Sequence, residues 1–173
     1  MNEQTYVIWL EFDDEFTTFL DEKCLELKAN NIPPGIRPPH MTLTFAKTDN
    51  RERLIEFTKN YLQENIDDIV IGSISQFPGG ILYYAPHINS KLLNLHTDLC
   101  RGLCEFCELT WDLYYPGNWT PHIALTAEQN DQDVLKAFSI MRRDFSSRTV
   151  SVKRILIWAY NGDHEKIYID VYR

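Results

Sequence analysis

The sequence has no uninterrupted apolar run of about 18 residues, which is the length that a membrane-spanning helix requires. Its first residues, Met1 to Leu10, lack the basic region, apolar core and small-residue cleavage site of a signal peptide. Low-complexity tracts and linker-like stretches are also missing. We therefore expect a cytoplasmic protein without a membrane span, whose 173 residues (1–173) form a single domain.

Positive charge is scarce, with 17 Lys and Arg against 25 Asp and Glu, for a net charge of −8. Proteins that hold long nucleic acids neutralise many phosphates with cations. We therefore expect no extended nucleic-acid-binding surface, although a few local cations could still contact a small phosphorylated ligand. Most basic side chains of a protein are simply solvated, but seven are candidates for such a contact: Arg37, Lys47, Arg142, Arg143, Arg148, Lys153 and Arg154.

Cysteine is infrequent, and three of the four cysteines are clustered as Cys100, Cys104 and Cys107. This spacing is also that of the iron–sulfur motif of radical enzymes that use S-adenosylmethionine. However, it places all three on one face of a helix, and the surrounding leucines continue a helical apolar rhythm. Cluster cysteines usually lie in a loop, and that enzyme class needs a longer chain. We therefore interpret the three cysteines as buried helix residues without a metal, and expect no disulfides.

One short apolar segment is present twice. Pro39-His40-Met41-Thr42-Leu43-Thr44-Phe45 returns as Pro121-His122-Ile123-Ala124-Leu125-Thr126-Ala127, with four of the seven positions identical. Histidine is the side chain that titrates near neutral pH. Two histidines on two copies of one segment therefore indicate a facing pair of acid and base groups, as in-line attack on a phosphodiester requires.

Strand geometry predicts which residues accompany each histidine, because alternate side chains of a strand share one face. His40, Thr42 and Thr44 should look into a common cleft, and so should His122 together with Thr120, Ala124 and Thr126. The opposite face of each strand should then enter the core. It comprises Met41, Leu43, Phe45, Ile123 and Leu125.

The region before the first histidine is also informative. Residues 6–12 are rich in β-branched and aromatic side chains and predict a strand. Asp13 or Asp14 can cap a helix that follows, whose apolar residues recur at helical spacing. Residues 32–39 contain four prolines and predict a stiff loop that delivers His40 onto its strand.

A helix and then a hairpin follow each histidine segment. The helix N-caps are predicted at Asp49 or Asn50 and at Asn130 or Asp131. The hairpins span 69–85 and 149–172, with turns at Pro78-Gly79-Gly80 and Asn161-Gly162-Asp163. A long helix, at about 89–106, opens the second half. This repetition predicts an α+β fold of two pseudo-twofold-related lobes, about 1–87 and 88–173, each an antiparallel sheet with helices packed outside. The active-site cleft would lie between the sheets, and the pattern leaves open whether strands are exchanged between the lobes.

Pro39-His40-Met41-Thr42-Leu43 and Pro121-His122-Ile123-Ala124-Leu125 resemble the paired His-x-Thr/Ser motifs of the two-histidine (2H) phosphoesterase superfamily. That group includes 2′-5′ RNA ligases and RNA cyclic phosphodiesterases, and the resemblance spans essentially the whole chain. It implies a bilobal fold, no metal and no cofactor. It also implies hydrolysis or transfer at 2′,3′-cyclic or 2′-5′ phosphodiester bonds of RNA ends or small nucleotides, in a protein that we expect to be monomeric.

The resemblance implies that His40 and His122 are the catalytic acid/base pair and that Thr42 donates its hydroxyl to the phosphate. One position departs from the motif, because Ala124 stands where the family has Thr or Ser. Thr126 or Thr120 on the same strand face, or Tyr114 or Tyr115 just upstream, could supply the missing hydroxyl. This departure also motivates an alternative function, a 2H-fold module that binds a nucleotide or RNA end without turnover.

The remaining candidates surround this pair. Arg37 and Lys153 could contact a second phosphate. A base could stack on one of several aromatic side chains, of which at least half should belong to the core: Tyr83, Tyr84, Trp119, Trp158 and Tyr160. We assign His87, His96 and His164 ordinary structural roles. A zinc site is disfavoured because neither motif histidine has a third ligand at short spacing, and Cys/His catalysis because the cysteines are predicted in a core.

Overall fold

A computed structural model describes residues 3–160 and 166–171 of the chain. These residues form two antiparallel sheets with α-helices, which confirms the predicted α+β class. None of the described helices is long and apolar enough to cross a membrane. The predicted turn at Asn161-Gly162-Asp163 and the histidine at 164 lie outside the described residues.

The regular elements follow one another in the order strand, helix, strand, helix, hairpin, and then a similar but longer second series. Their bounds are β1 (Gln4–Phe12), α1 (Asp14–Ala29), β2 (Met41–Thr48), α2 (Arg51–Asn65), β3 (Ile69–Gln76), β4 (Leu82–Pro86), α3 (Ser90–Leu103), β5 (Glu108–Leu109), β6 (Ile123–Ala124), α4 (Asp131–Arg142), β7 (Arg148–Val150), β8 (Val152–Ala159) and β9 (Lys166–Asp170).

The four α-helices of the described residues begin at side-chain caps, as the sequence predicts for three of them. A carboxylate or amide oxygen of the cap residue accepts a hydrogen bond from a backbone N–H in the first turn, which otherwise has no partner within the helix. The caps are Asp13 for α1, Asn50 for α2, Asn89 for α3 and Asn130 for α4.

Each sheet combines strands from both halves of the chain. The five-stranded sheet has the order β5-β2-β1-β8-β9, and the four-stranded sheet has the order β6-β4-β3-β7. The first histidine segment therefore belongs to the larger sheet and the second to the smaller one. The division into lobes near residue 87 stays a prediction.

The predicted single strand over 149–160 is wrong, because the chain changes sheets at Ser151. β7 pairs with β3 in the smaller sheet, whereas β8 pairs with β1 in the larger one. Asp13 holds the crossing point: its backbone N–H donates to the Ser151 carbonyl at 2.9 Å, and its carboxylate accepts from the Ser151 N–H at 2.8 Å. The residue that caps α1 thus also ties the two sheets together.

The cysteine interpretation is correct for Cys100 and wrong for its two neighbours. Cys100 is fully buried on α3, but that helix ends at Leu103. Cys104 is its exposed C-cap, and Cys107 lies in the turn that leads to β5. After the helix the chain turns back, and β5 pairs with β2. Within the described residues, no group of three or more His, Cys, Asp or Glu side chains could hold a metal ion.

Candidate active site

A cleft of about 540 Å³ brings the two histidine segments together. Both His40 and His122 line it, along with Thr42 from β2 and Ala124 from β6. The rest of the lining is mostly aromatic. It includes Trp9, Phe45, Phe77, Trp111, Tyr114, Trp158 and Tyr160.

His40 lies one residue before β2, at the end of the proline-rich loop. Its Nδ1 is 2.8 Å from the carbonyl oxygen of Pro38. A carbonyl can only accept, so Nδ1 carries the proton and donates it, and the neutral ring keeps a free lone pair on Nε2. The imidazole stacks on the indole of Trp9, with 3.8 Å between the ring centroids.

His122 is held in the same way. Its Nδ1 is 2.7 Å from the carbonyl oxygen of Thr120, again two residues earlier in the chain. The ring meets Phe77 edge to face at 4.8 Å and is 5.6 Å from the ring of Tyr83. The two imidazoles therefore share one tautomer, and each has Nε2 as the nitrogen left for a ligand in the cleft.

Burial lowers the pKa of both imidazoles. The pKa of His40 falls from 6.5 to about 4, chiefly through burial and also through repulsion from a charge on His122, which outweigh the opposing hydrogen bond to Pro38. Burial likewise lowers the pKa of His122, against the hydrogen bond to Thr120. Both rings are thus neutral near pH 7 in the free protein. Protonation of one of them would be favoured by an anion in the cleft.

The predicted alternation along β2 holds only as far as Leu43. In the register between the two strands, Trp9 of β1 pairs with Thr42, but the preceding Ile8 pairs with Thr44. Leu43 is therefore an extra residue that forms a bulge. The bulge reverses the parity of the strand. Thr44 is therefore fully buried on the side of α3, and Phe45 faces the cleft, where its ring stacks on Trp111 at 4.2 Å. The predicted orientations of Thr44 and Phe45 are wrong.

The second segment is less regular than the first. β6 comprises only Ile123 and Ala124, and Thr126 makes an isolated bridge to Pro34. Thr126 lines the cleft but is only 1% exposed. Its hydroxyl oxygen accepts from the N–H of Leu82 at 2.8 Å and from the amide of Gln129 at 3.0 Å. Only its hydroxyl proton is therefore left to contact a ligand, and its predicted role stays a prediction.

Two other predicted contacts point away from the cleft. The hydroxyl of Tyr115 donates to the Leu109 carbonyl at 2.6 Å. Trp119 is buried behind β2, where it stacks on His96 at 4.1 Å and donates from its indole N–H to the Thr42 carbonyl at 3.0 Å. The Tyr115 hydroxyl thus makes only a local contact within residues 109–115, whereas Trp119 supports the strand that carries Thr42, and neither side chain lines the cleft.

The two predicted cations also lie elsewhere. Arg37 forms an ion pair with Asp21 of α1, and Lys153 forms one with Asp14 at the start of the same helix. Neither lines the cleft. The one charged side chain among the described lining residues is Glu128, which lies over the turn at Gly79.

The remaining aromatic and histidine predictions divide between core and cleft. Trp158 and Tyr160 line the cleft, whereas Tyr84 is fully buried with its hydroxyl on the Met141 carbonyl. The assignment of His96 to the core is confirmed, since it is 2% exposed and bonded to the Leu43 carbonyl. Sequence reasoning overlooked Trp9, although strand alternation places its side chain on the other face of β1 from those of the buried Ile8 and Leu10.

A model of the 2′-5′ RNA ligase superfamily matches residues 27–164. Escherichia coli LigT complexed with 3′-AMP has a TM-score of 0.55 at 12% identity, and the alignment covers 99% of this chain and 96% of that one. A structure described as a phosphoesterase has a TM-score of 0.54 at 14% identity, with 99% and 97% covered.

Apo E. coli LigT gives a TM-score of 0.55 at 13% identity, with 100% and 97% covered. No curated protein sequence matches the chain significantly. At such identities the structural likeness establishes the fold, while the family model covers well over half of the chain. The protein is therefore a member of the 2′-5′ RNA ligase superfamily, a group of two-histidine phosphoesterases.

Proposed function

We propose that the protein is a metal-independent phosphoesterase that hydrolyses, or transfers at, 2′,3′-cyclic or 2′-5′ phosphodiester bonds of RNA ends or small nucleotides. The observation that carries this proposal is the matched pair of imidazoles. His40 and His122 line one cleft, and each has its Nδ1–H fixed by the carbonyl two residues earlier. Two proton-transfer groups of one tautomer thus converge on one small volume.

Each imidazole would have one part in the reaction. Nε2 of one histidine takes a proton from water, or from a ribose hydroxyl in the transfer reaction, as that oxygen attacks phosphorus. The P–O bond opposite the attacking oxygen breaks, and Nε2–H of the other histidine gives its proton to the departing oxygen. The two histidines supply both proton transfers, so no metal is required. Each contributes typically ~10²–10⁴-fold in rate.

The cleft also offers donors for the charge that grows on the phosphoryl oxygens. Thr42 lies two residues after His40 and lines the cleft, so its hydroxyl can donate to one of these oxygens. The aromatic lining provides flat surfaces for a nucleobase. Trp111 and Tyr160 are 42% and 37% exposed at the opening, and stacking on such rings tolerates any base. The structure of E. coli LigT with 3′-AMP is consistent with a nucleotide in this fold.

A substrate panel tests the proposal. The protein would be incubated in EDTA with nucleoside 2′,3′-cyclic phosphates, 2′-5′ dinucleotides and matched 3′-5′ dinucleotides, and the products separated by chromatography. We expect turnover of a cyclic or 2′-5′ substrate that chelation leaves unchanged. Activity that EDTA abolishes would contradict the proposed mechanism.

A second candidate function follows from Ala124, which removes a phosphate-binding hydroxyl from the second segment. It is a 2H-fold module that binds a nucleotide or RNA end without turnover. The same panel, with a binding measurement added, separates the two candidates, because measurable ligand binding with no turnover of cyclic, 2′-5′ or 3′-5′ substrates would favour the module. Clear turnover of one substrate would eliminate it.

The lowered pKa values predict an acidic optimum for kcat/KM. One imidazole must be neutral and the other protonated, and burial lowers the pKa of both. We therefore expect the kcat/KM optimum below pH 6.5, since activity is lost above the lowered pKa of the acid. A bound phosphate anion stabilises the imidazolium, so the kcat profile should extend to higher pH. Steady-state profiles from about pH 4 to pH 9 measure both; coincident optima above pH 7 would contradict this prediction.

A further inference from the structure

The two histidine segments differ in the hydroxyl that each presents. Thr42 lines the cleft two residues after His40, whereas Ala124 occupies the matching position after His122. A chemically complete site would have a second donor near His122. The residue that lies there is Tyr114, which ends the short helical turn Asp112–Tyr114 ahead of the second segment.

Tyr114 reaches both halves of the site. Its ring lies 6.5 Å from the ring of His122 and 5.1 Å from that of Phe45 on β2. Burial raises the pKa of its phenol, and the Thr42 side chain, which acts on the phenol, lowers that pKa by less. The phenol is therefore held beside the one motif hydroxyl that remains and near the histidine whose motif lacks one.

The neighbouring Tyr115 differs from Tyr114 in the direction of its hydroxyl. Tyr115 turns its hydroxyl to the Leu109 carbonyl at 2.6 Å and does not line the cleft, whereas Tyr114 does. Burial raises the pKa of the Tyr114 phenol above 10.0, so the group keeps its proton at working pH. A protonated phenol can donate to an anionic oxygen, which is what the absent hydroxyl would have done.

We propose that Tyr114 binds a non-bridging phosphate oxygen of the substrate and replaces the hydroxyl that is missing at Ala124. Thr42 and Tyr114 then form a pair of donors, in which the Tyr114 ring packs on Phe45 of β2 and lies 6.5 Å from the ring of His122. This inference rests on the proposed function, because it assigns a role within the same site.

The test is a double-mutant cycle of Tyr114→Phe and Ala124→Thr, with kcat/KM measured for each protein. We expect Tyr114→Phe alone to lower kcat/KM about 10- to 100-fold, since it removes a hydrogen bond to a charged group. Ala124→Thr alone should change little, because the donor position is already filled. In the double variant, the new threonine should restore most of the activity.

Tyr115→Phe is the matched control, since it removes the same hydroxyl from the next residue, outside the cleft, and should leave kcat/KM essentially unchanged. Thermal unfolding of each variant checks that it is folded. A loss from Tyr114→Phe that is equal in both backgrounds would assign the tyrosine a purely structural role and overturn the proposal. So would a tenfold gain from Ala124→Thr in the presence of Tyr114, because the hydroxyl would then be absent rather than replaced.

Inorganic phosphate gives a readout that does not depend on turnover. Titration followed by NMR should show weaker phosphate binding by Tyr114→Phe than by the wild type, and recovery in the double variant. If no substrate is turned over but this pattern is found, the proposed reaction fails and the role of Tyr114 stands. Unchanged phosphate affinity in Tyr114→Phe would overturn that role.

Discussion

Replacing either His40 or His122 with alanine is expected to lower kcat about 10²–10⁴-fold on a cyclic or 2′-5′ phosphodiester. Each variant removes one proton-transfer group, while Thr42 and the aromatic walls of the cleft remain to bind the substrate. KM should therefore change much less than kcat. Rapid-quench or steady-state assays with purified variants measure both constants.

The double variant His40→Ala/His122→Ala should lose little more activity than the more damaged single variant. An acid and a base that act in one step form a unit, and effects within such a unit are strongly non-additive. Losses that multiply would instead indicate that the two histidines act in separate steps.

His87→Ala is the matched control, because His87 is an exposed histidine outside the cleft lining. Its activity should equal that of the wild type. Retained activity in both motif variants would refute the two-histidine mechanism. A loss in His87→Ala as large as theirs would point to a general effect of the substitution and not to the chemistry of the site.

The duplicated segment was enough to predict the pair of histidines, the fold class and the cleft between two sheets. These follow from local patterns, namely apolar periodicity, helix caps and strand alternation, which depend on residues close together in the chain. The caps at Asp13, Asn50 and Asn130 belong to this local class. Alternation also places Trp9 on the cleft face of β1, which makes Trp9 predictable from the same local pattern.

The wrong predictions concern features that long-range contacts determine. The bulge at Leu43 depends on the pairing of β2 with β1. The local pattern of β2 alone does not determine whether Thr44 or Phe45 points into the core. Arg37 and Lys153 are drawn away by carboxylates of α1, which sequence spacing does not reveal. The change of sheet at Ser151 likewise depends on Asp13, more than a hundred residues earlier.

Replacing Trp9 with alanine is expected to destabilise the protein by about 3–5 kcal/mol, the range for removal of a large buried aromatic side chain. Trp9 lies on the central strand β1, is 3% exposed and packs with Val7, Phe45 and Leu156. Urea unfolding monitored by circular dichroism measures the change in the free energy of unfolding. Trp9→Phe keeps an aromatic ring at this position and should lose clearly less stability. The comparison distinguishes the loss of aromatic packing from a reduction in side-chain size.

The same substitution should also change the chemistry of His40, whose ring lies against the indole at 3.8 Å. Burial is the largest cause of the lowered pKa of His40, and water that enters in place of the indole would reduce that burial. We therefore expect the pKa of His40 to rise from about 4 toward 6.5 in Trp9→Ala, as measured by NMR titration. In Trp9→Phe it should stay low.

The lowered pKa of His40 also makes the stability of the protein depend on pH. In the wild type, His40 is harder to protonate when folded than when unfolded, so its contribution to stability is complete above about pH 6.5. That contribution is lost as pH falls through about 4. A raised pKa of His40 in Trp9→Ala narrows the pH range over which this contribution is lost. The free energy of unfolding of the variant should therefore fall less steeply with acidification than that of the wild type. An unchanged pKa of His40 in a folded Trp9→Ala protein would mean that the second sheet, and not the indole, keeps this imidazole neutral.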